Sequence, residues 1–82
     1  MKTGNFIREN GTERVQIIKD WDKDSYSIYY LIIGNNKILY QGSLNGAYIF
    51  GEFSVIFNGD VLYLSEGVDD PSINSPKYIR EG

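Results

Sequence analysis

The sequence predicts an all-β protein: a small antiparallel β-meander of five to seven strands built from hairpins, either barrel-like or a dimerised sheet. The first observation is a segment that occurs twice without gaps, since residues 29–40 align on residues 52–63 at an offset of 23 residues. Each copy has an apolar run, a corner rich in asparagine and a second apolar run that ends in Leu-Tyr. Self-similarity at a fixed spacing is typical of repeated hairpins.

The second observation is composition. The chain has 82 residues, and 15% of them are aromatic. This length indicates a single domain, residues 1–82, with a thin core that large aromatic side chains help to fill. No amphipathic helix of useful length is visible, which leaves strands and turns.

The first hairpin is indicated by Asn10-Gly11, a dipeptide that suits a type I′ turn because both central residues need a positive φ. This loop places Phe6 opposite Val15 and Arg8 opposite Glu13. An aromatic residue paired with a β-branched one, and two opposite charges, are favourable cross-strand partners. The register is therefore supported by two independent pairs.

A strand from Tyr26 to Ile33 follows, and it is apolar on both of its faces. A strand of this kind is expected to be buried on both sides. In so short a chain this indicates a two-layer arrangement, a closed barrel or an oligomer interface. Residues 26–33 are therefore also the predicted contact of a homodimer.

Two further features concern the second half of the chain. Gly51 interrupts a short strand and predicts a bulge or a close backbone approach, while a loop at Asn58-Gly59 places Ile56 opposite Val61. Residues 77–81 repeat the character of residues 6–9. Such similar terminal strands either pair and close a barrel or serve as charged edges that deter aggregation.

Charge and residue usage exclude several function classes. The net charge is −3 and the eight Lys and Arg residues are scattered, whereas nucleic-acid binding needs a basic surface; a membrane-surface role is disfavoured for the same reason. Without Cys or His, disulfides, ordinary zinc sites and Ser-His-Asp catalysis are not available. Residues 1–8 contain no continuous apolar stretch, so we expect no secretory signal and a cytoplasmic protein.

Acidic side chains are the remaining candidates for chemistry. Asp20, Asp22 and Asp24 have the alternate spacing of the first ligands in a calcium-binding loop. The sixth position of that pattern is Ser25 and the twelfth is Leu31, so the pattern fails where Gly and Glu are required and a solvated acidic turn is favoured. No spacing selects a pair of carboxylates for acid–base catalysis. We therefore predict no enzyme activity, no cofactor and no metal site.

Seven tyrosines and one tryptophan are the remaining candidates for recognition. Tyr40 and Tyr63 occupy matching places in the repeat and are expected to pack. Surface binding and packing are equally plausible for the aromatic residues near loops. The candidate partner-binding residues are Trp21, Asp22, Asp24, Tyr26, Tyr48, Asp69 and Asp70.

Residues 40–63 resemble a MORN-type β-hairpin repeat. The residues that carry the resemblance are Tyr40-Gln41-Gly42 at the start and Asn58-Gly59-Asp60 before Tyr63, at a period of 23 residues. The resemblance implies a single-layer stack of hairpins used for scaffolding or for protein and lipid contacts, rather than catalysis.

The leading hypothesis from the sequence is a non-enzymatic protein–protein interaction module. A small acidic β-protein without site chemistry suits an inhibitor, an immunity protein or a phage anti-defence protein that binds and blocks another protein. The alternatives are a β-domain that binds a glycan or small ligand, and a structural subunit that self-associates.

Overall fold

The strands close into an antiparallel barrel, in which each strand pairs with its neighbours in the chain and the last pairs with the first. The computed structural model describes residues 1–21, 27–67 and 75–81. The strands in these ranges are β1 Gly4–Arg8, β2 Arg14–Trp21, β3 Ser27–Ile33, β4 Asn36–Leu44, β5 Ala47–Phe50, β6 Phe53–Asn58, β7 Val61–Glu66 and β8 Lys77–Arg80. The prediction of an all-β, barrel-like meander is confirmed, with eight strands in the described ranges. Nowhere in these ranges is there a helix able to cross a bilayer.

The pairing of β1 with β8 closes the barrel, as the similarity of the two terminal strands had suggested. Ile7 lies opposite Ile79, and Arg8 lies opposite Tyr78. The backbone N–H of Glu9 donates to the carbonyl of Lys77 at 2.8 Å. Closure gives both terminal strands a second neighbour, so neither is an unpaired edge at these positions.

The core is the inside of the barrel, which alternate residues of each strand fill. The centre of this core is a set of side chains with at most 7% exposure: Phe6, Val15, Ile17, Leu31, Phe50, Val55, Leu62, Leu64 and Tyr78. Aromatic rings continue the packing in a chain of contacts, with Phe57 lying 6.0 Å from Phe6 and 5.7 Å from Tyr48 between ring centroids. The interior is therefore packed with side chains rather than hollow.

Turn geometry follows glycine and asparagine, with two differences from the sequence predictions. The register of the first hairpin is confirmed, since Phe6 lies opposite Val15. Of the Asn10-Gly11 pair, however, only Asn10 has a positive φ, of 60°, so the turn is not type I′. The chain instead turns between Arg8 and Gly11, and the Gly11 N–H donates to the Arg8 carbonyl at 3.1 Å.

The second repeat turns at Gly59-Asp60, so that Ile56 lies opposite Tyr63 rather than Val61. The predicted register was wrong by two residues because glycine takes the first central position of this turn, with a φ of 60°, where a side chain is least tolerated.

Gly51 marks a close approach, one of the two alternatives that its position in the sequence suggested. It lies in the turn between β5 and β6 with a φ of 60°. A Cβ atom at this position would lie 2.9 Å from Cγ2 of Ile38. The bulge of this region is elsewhere, in β4 between Tyr40 and Gly42.

The β3 strand is not buried on both sides, which corrects the expectation from its composition. Leu31 is fully buried inside the barrel, whereas Ile28, Tyr30 and Ile32 point outward and are half-buried. The outer side chains of β3 lie opposite outer side chains of β2 and β4. A closed barrel has one interior, so a strand that is apolar on both faces leaves one of them on the outer surface.

Candidate binding surface

The β2–β3 hairpin extends beyond the barrel wall. Pairing of β1 with β2 ends at Gly4 and Ile17, and pairing of β3 with β4 ends at Tyr30 and Leu39. Past these points β2 and β3 pair with each other alone among the described residues, through Lys19–Tyr29, Asp20–Ile28 and Trp21–Ser27. At about 3.4 Å per residue, these three rungs extend the hairpin by about 10 Å.

Trp21 is the last described residue of β2 and is 61% exposed, the highest value among the large hydrophobic side chains of the described ranges. The Nζ atom of Lys19 lies 4.9 Å from the centroid of its ring. A lysine over an aromatic face is a favourable contact, and it leaves most of the Trp21 side chain exposed. The hairpin thus presents the single tryptophan of the chain in its last described pair.

The pairing of β3 with β4 ends toward the same end of the barrel, which we call the Trp21 end. Tyr29 and Tyr40 pack edge to face here, with ring centroids 6.3 Å apart. The Tyr40 hydroxyl is hydrogen-bonded to Ser43 Oγ at 2.9 Å. Leu44, at the tip of the β4–β5 hairpin, is 47% exposed. The Trp21 end therefore combines an exposed tryptophan with an exposed leucine on a neighbouring hairpin.

Tyr48 lies inside the barrel toward the same end. Its ring centroid is 5.9 Å from that of Tyr40 and 5.7 Å from that of Phe57, and the side chain is half-buried. Of the two roles that the sequence left open for Tyr48, these contacts describe packing. Tyr40 also packs inside, whereas Tyr63 lies on the outer surface with Lys77 Nζ 5.7 Å from its ring centroid.

Five of the candidate partner-binding residues lie outside the described residues: Asp22, Asp24, Tyr26, Asp69 and Asp70. The strand ends that flank residues 22–26 are Trp21 and Ser27, at the Trp21 end. The strand ends that flank residues 68–74 belong to β7 and β8 and lie at the opposite end, because successive strands run in opposite directions. The structure brings Trp21 and Tyr48 to one end of the barrel and tests none of the other five.

A second surface feature is an apolar patch on the outside of β2, β3 and β4. Its members are Ile18, Ile28, Tyr30, Ile32 and Leu39, which we call the outer apolar face. Leu39 is 51% exposed. Sequence reasoning found the β3 members through the doubly apolar strand but missed Ile18 and Leu39. The signal for these two is the register, which places Ile18 and Leu39 on either side of Tyr30.

A third feature is a cavity of about 430 Å³ at the end of the barrel opposite Trp21. Its walls are mainly apolar, and Glu66 contributes a carboxylate to the lining. The lining residues are Ile33, Phe53, Leu64, Ser65, Glu66, Pro76 and Tyr78. The volume falls within the usual range of small-molecule sites, roughly 300–1,000 Å³.

Three of the described carboxylates, those of Asp60, Glu52 and Glu66, lie at the two ends of the barrel. Asp60 pairs with Lys2 at 3.3 Å and with Arg80 at 3.7 Å at the Trp21 end. Glu52 and Glu66 lie at the opposite end, where the Glu52 carbonyl accepts the N–H of Gly67. Within residues 1–21, 27–67 and 75–81, no three carboxylate side chains come together as metal ligands do.

Comparisons with known proteins do not assign the chain to a family: no protein-family model, no curated protein and no solved structure matches it. The resemblance of residues 40–63 to a MORN-type repeat stays a prediction.

Proposed function

We propose that this protein is a non-enzymatic interaction module that binds and blocks another protein through the β2–β3 hairpin. The observation that carries the proposal is the 61% exposure of Trp21, in the last described pair of a hairpin that extends beyond its barrel. Exposing a tryptophan to water is unfavourable, and tryptophan is strongly enriched among the residues that dominate binding energy at interfaces. A rigid barrel with one extended hairpin suits insertion into a cleft of a partner.

Preorganisation supports the same proposal. Trp21 and Ser27 are held by cross-strand pairing, and the Lys19 contact restrains the indole. A side chain that is already ordered loses less entropy on binding than a flexible one. The proposed class is an inhibitor, immunity or anti-defence protein, and the cytoplasm is its proposed compartment, which suits a chain without cysteine.

The test is capture of the partner by the tagged protein from a lysate of the source organism, followed by calorimetry with the purified partner. We expect one near-stoichiometric protein, and we expect Trp21→Ala to weaken its binding by about 30-fold or more, the size of an interface hot spot. The matched control is Tyr63→Ala, which also removes an aromatic ring beneath a lysine but from the outer surface of β7.

The control variant is expected to bind within about threefold of the wild type. Equal binding by the Trp21→Ala protein would show that the hairpin is not the contact. Capture of no protein at all would count against the interaction module itself.

A second candidate function is binding of a small apolar ligand, which the cavity at the opposite end of the barrel favours. Leu64 lines this cavity and is 7% exposed. A ligand that raises the melting temperature of the wild type, but not that of a Leu64→Trp variant with the cavity filled, would support this function. If every compound in a library of small apolar ligands stabilises both proteins equally, or stabilises neither, that result would argue against this function.

A further inference from the structure

We propose that the protein forms a homodimer through the outer apolar face, with a second copy of the same chain as the occupant. The centre of this face is a row of three side chains that lie next to one another on β2, β3 and β4: Ile18, Tyr30 and Leu39. Ile28 and Ile32 extend the patch along β3 in both directions. The outer surface of a barrel in water ordinarily carries polar side chains on these alternate positions.

Charges at two opposite corners make the face self-complementary. Lys37 lies on β4 opposite Ile32, in the next row of outward side chains from Tyr30 away from the Trp21 end. Asp20 lies on β2 opposite Ile28, in the next row from Tyr30 toward the Trp21 end. The two charges are therefore related by inversion through the position of Tyr30 within the sheet. Neither has an ion-pair partner among the described residues. In the single copy Lys37 Nζ instead lies 4.3 Å from the centroid of the Tyr30 ring, so in the dimer it exchanges this contact for Asp20 of the other copy.

A two-fold axis can bring the opposite charges of two copies together. In a face-to-face dimer the axis lies in the plane of the interface, and every contact occurs twice. An axis that passes over Tyr30 at right angles to the line from Lys37 to Asp20 places Lys37 of each copy over Asp20 of the other. The strands of the two copies then cross at about 70°, closer to the orthogonal than to the aligned geometry of packed sheets.

The size of the face sets the strength that we expect. Three strands about 4.8 Å apart and five residues long, at about 3.4 Å per residue, give a patch of about 14 Å by 17 Å, or about 250 Å² in plan. Stable interfaces bury about 800 Å² per partner. The dimer is therefore expected to be weak and reversible, with a dissociation constant well above about 1 µM.

The test reverses the charge of Lys37 in one variant and that of Asp20 in another. The molecular mass is measured by sedimentation velocity at protein concentrations from about 1 µM to about 1 mM. The wild type is expected to shift from monomer to dimer over this range. Lys37→Glu alone places acid over acid at both corners, and Asp20→Lys alone places base over base, so each is expected to weaken dimerisation at least tenfold. An equimolar mixture of the two variants has attraction at both corners and is expected to recover dimer at the wild-type level.

Recovery in the mixture supports the proposed axis, because an unfolded or generally weakened variant cannot be rescued by its partner. A wild type that stays monomeric, or single variants that dimerise as well as the wild type, would overturn the proposal. So would a mixture that stays monomeric while circular dichroism shows both variants folded. Dimerisation of the Trp21→Ala protein separates this result from the proposed function, which concerns the hairpin tip and a different partner.

Discussion

Replacing Leu31 by alanine tests whether the interior of the barrel is the main source of stability. Leu31 is fully buried, and inner residues Ile17 and Ile38 lie directly opposite on the two neighbouring strands. Truncating such a leucine costs about 2–5 kcal/mol, because apolar contact is lost and a cavity remains. At about 0.05–0.15 kcal/mol per residue, a chain of 82 residues has a free energy of unfolding of only about 4–12 kcal/mol.

The assay is urea unfolding followed by far-UV circular dichroism at about 1 µM protein, where self-association does not contribute. With an m-value of about 1 kcal/mol/M for a domain of this size, the unfolding midpoint should fall by about 2–5 M. The matched control is Leu44→Ala, which removes the same atoms from a side chain that is 47% exposed. That variant should lose about 0.5 kcal/mol or less.

The contrast between the two leucines is the decisive quantity. If Leu31→Ala unfolds outright, the volume-conserving Leu31→Met variant should remain folded and lose less than about 1.5 kcal/mol. Equal losses for Leu31→Ala and Leu44→Ala would refute the conclusion that the interior carries the stability.

Two further predictions concern sites where the backbone is constrained. Ser54 has no exposed surface, and its hydroxyl donates to the Gly67 carbonyl at 2.6 Å. The Ser54→Ala variant should lose about 1–3 kcal/mol of the free energy of unfolding, measured in urea. A loss below about 0.5 kcal/mol would show that the carbonyl finds another donor. Gly51→Ala should destabilise more than Gly59→Ala, because both glycines have a φ of 60° but only at Gly51 does a Cβ meet Ile38, at 2.9 Å. Equal melting temperatures for these two variants would show that the neighbour moves without cost.

Local patterns account for most of the predicted fold. The register of the first hairpin followed from cross-strand chemistry, since Phe6 with Val15 satisfies a preference that depends only on nearby residues. The likeness of the two terminal strands indicated closure as one of two alternatives, and the structure selects it. The turn of the second repeat was less accessible, because Asn58-Gly59 and Gly59-Asp60 are both good turn pairs and only the final pairing distinguishes them.

The candidate surfaces were only partly accessible to sequence reasoning. Trp21 was found because an isolated tryptophan stands next to a polar loop. Its side chain is exposed because β1 and β4 stop pairing with the hairpin before Trp21 is reached. The position at which that pairing stops depends on the closure of all eight strands. Ile18 and Leu39 were missed because residues far apart in the chain form a patch only when the register brings them to the same row.

The sequence by itself determined that this protein is an antiparallel β-meander, because alternation, turn residues and cross-strand preferences act over a few residues. The tertiary structure alone decided which face of β3 lies inside. Both faces of that strand are apolar, so the pattern that normally specifies the buried side is absent, and a shift of one residue would exchange them at little local cost. Closure of the barrel placed Leu31 inside and left Tyr30 outside, and the surface that we propose for dimerisation exists because of that choice.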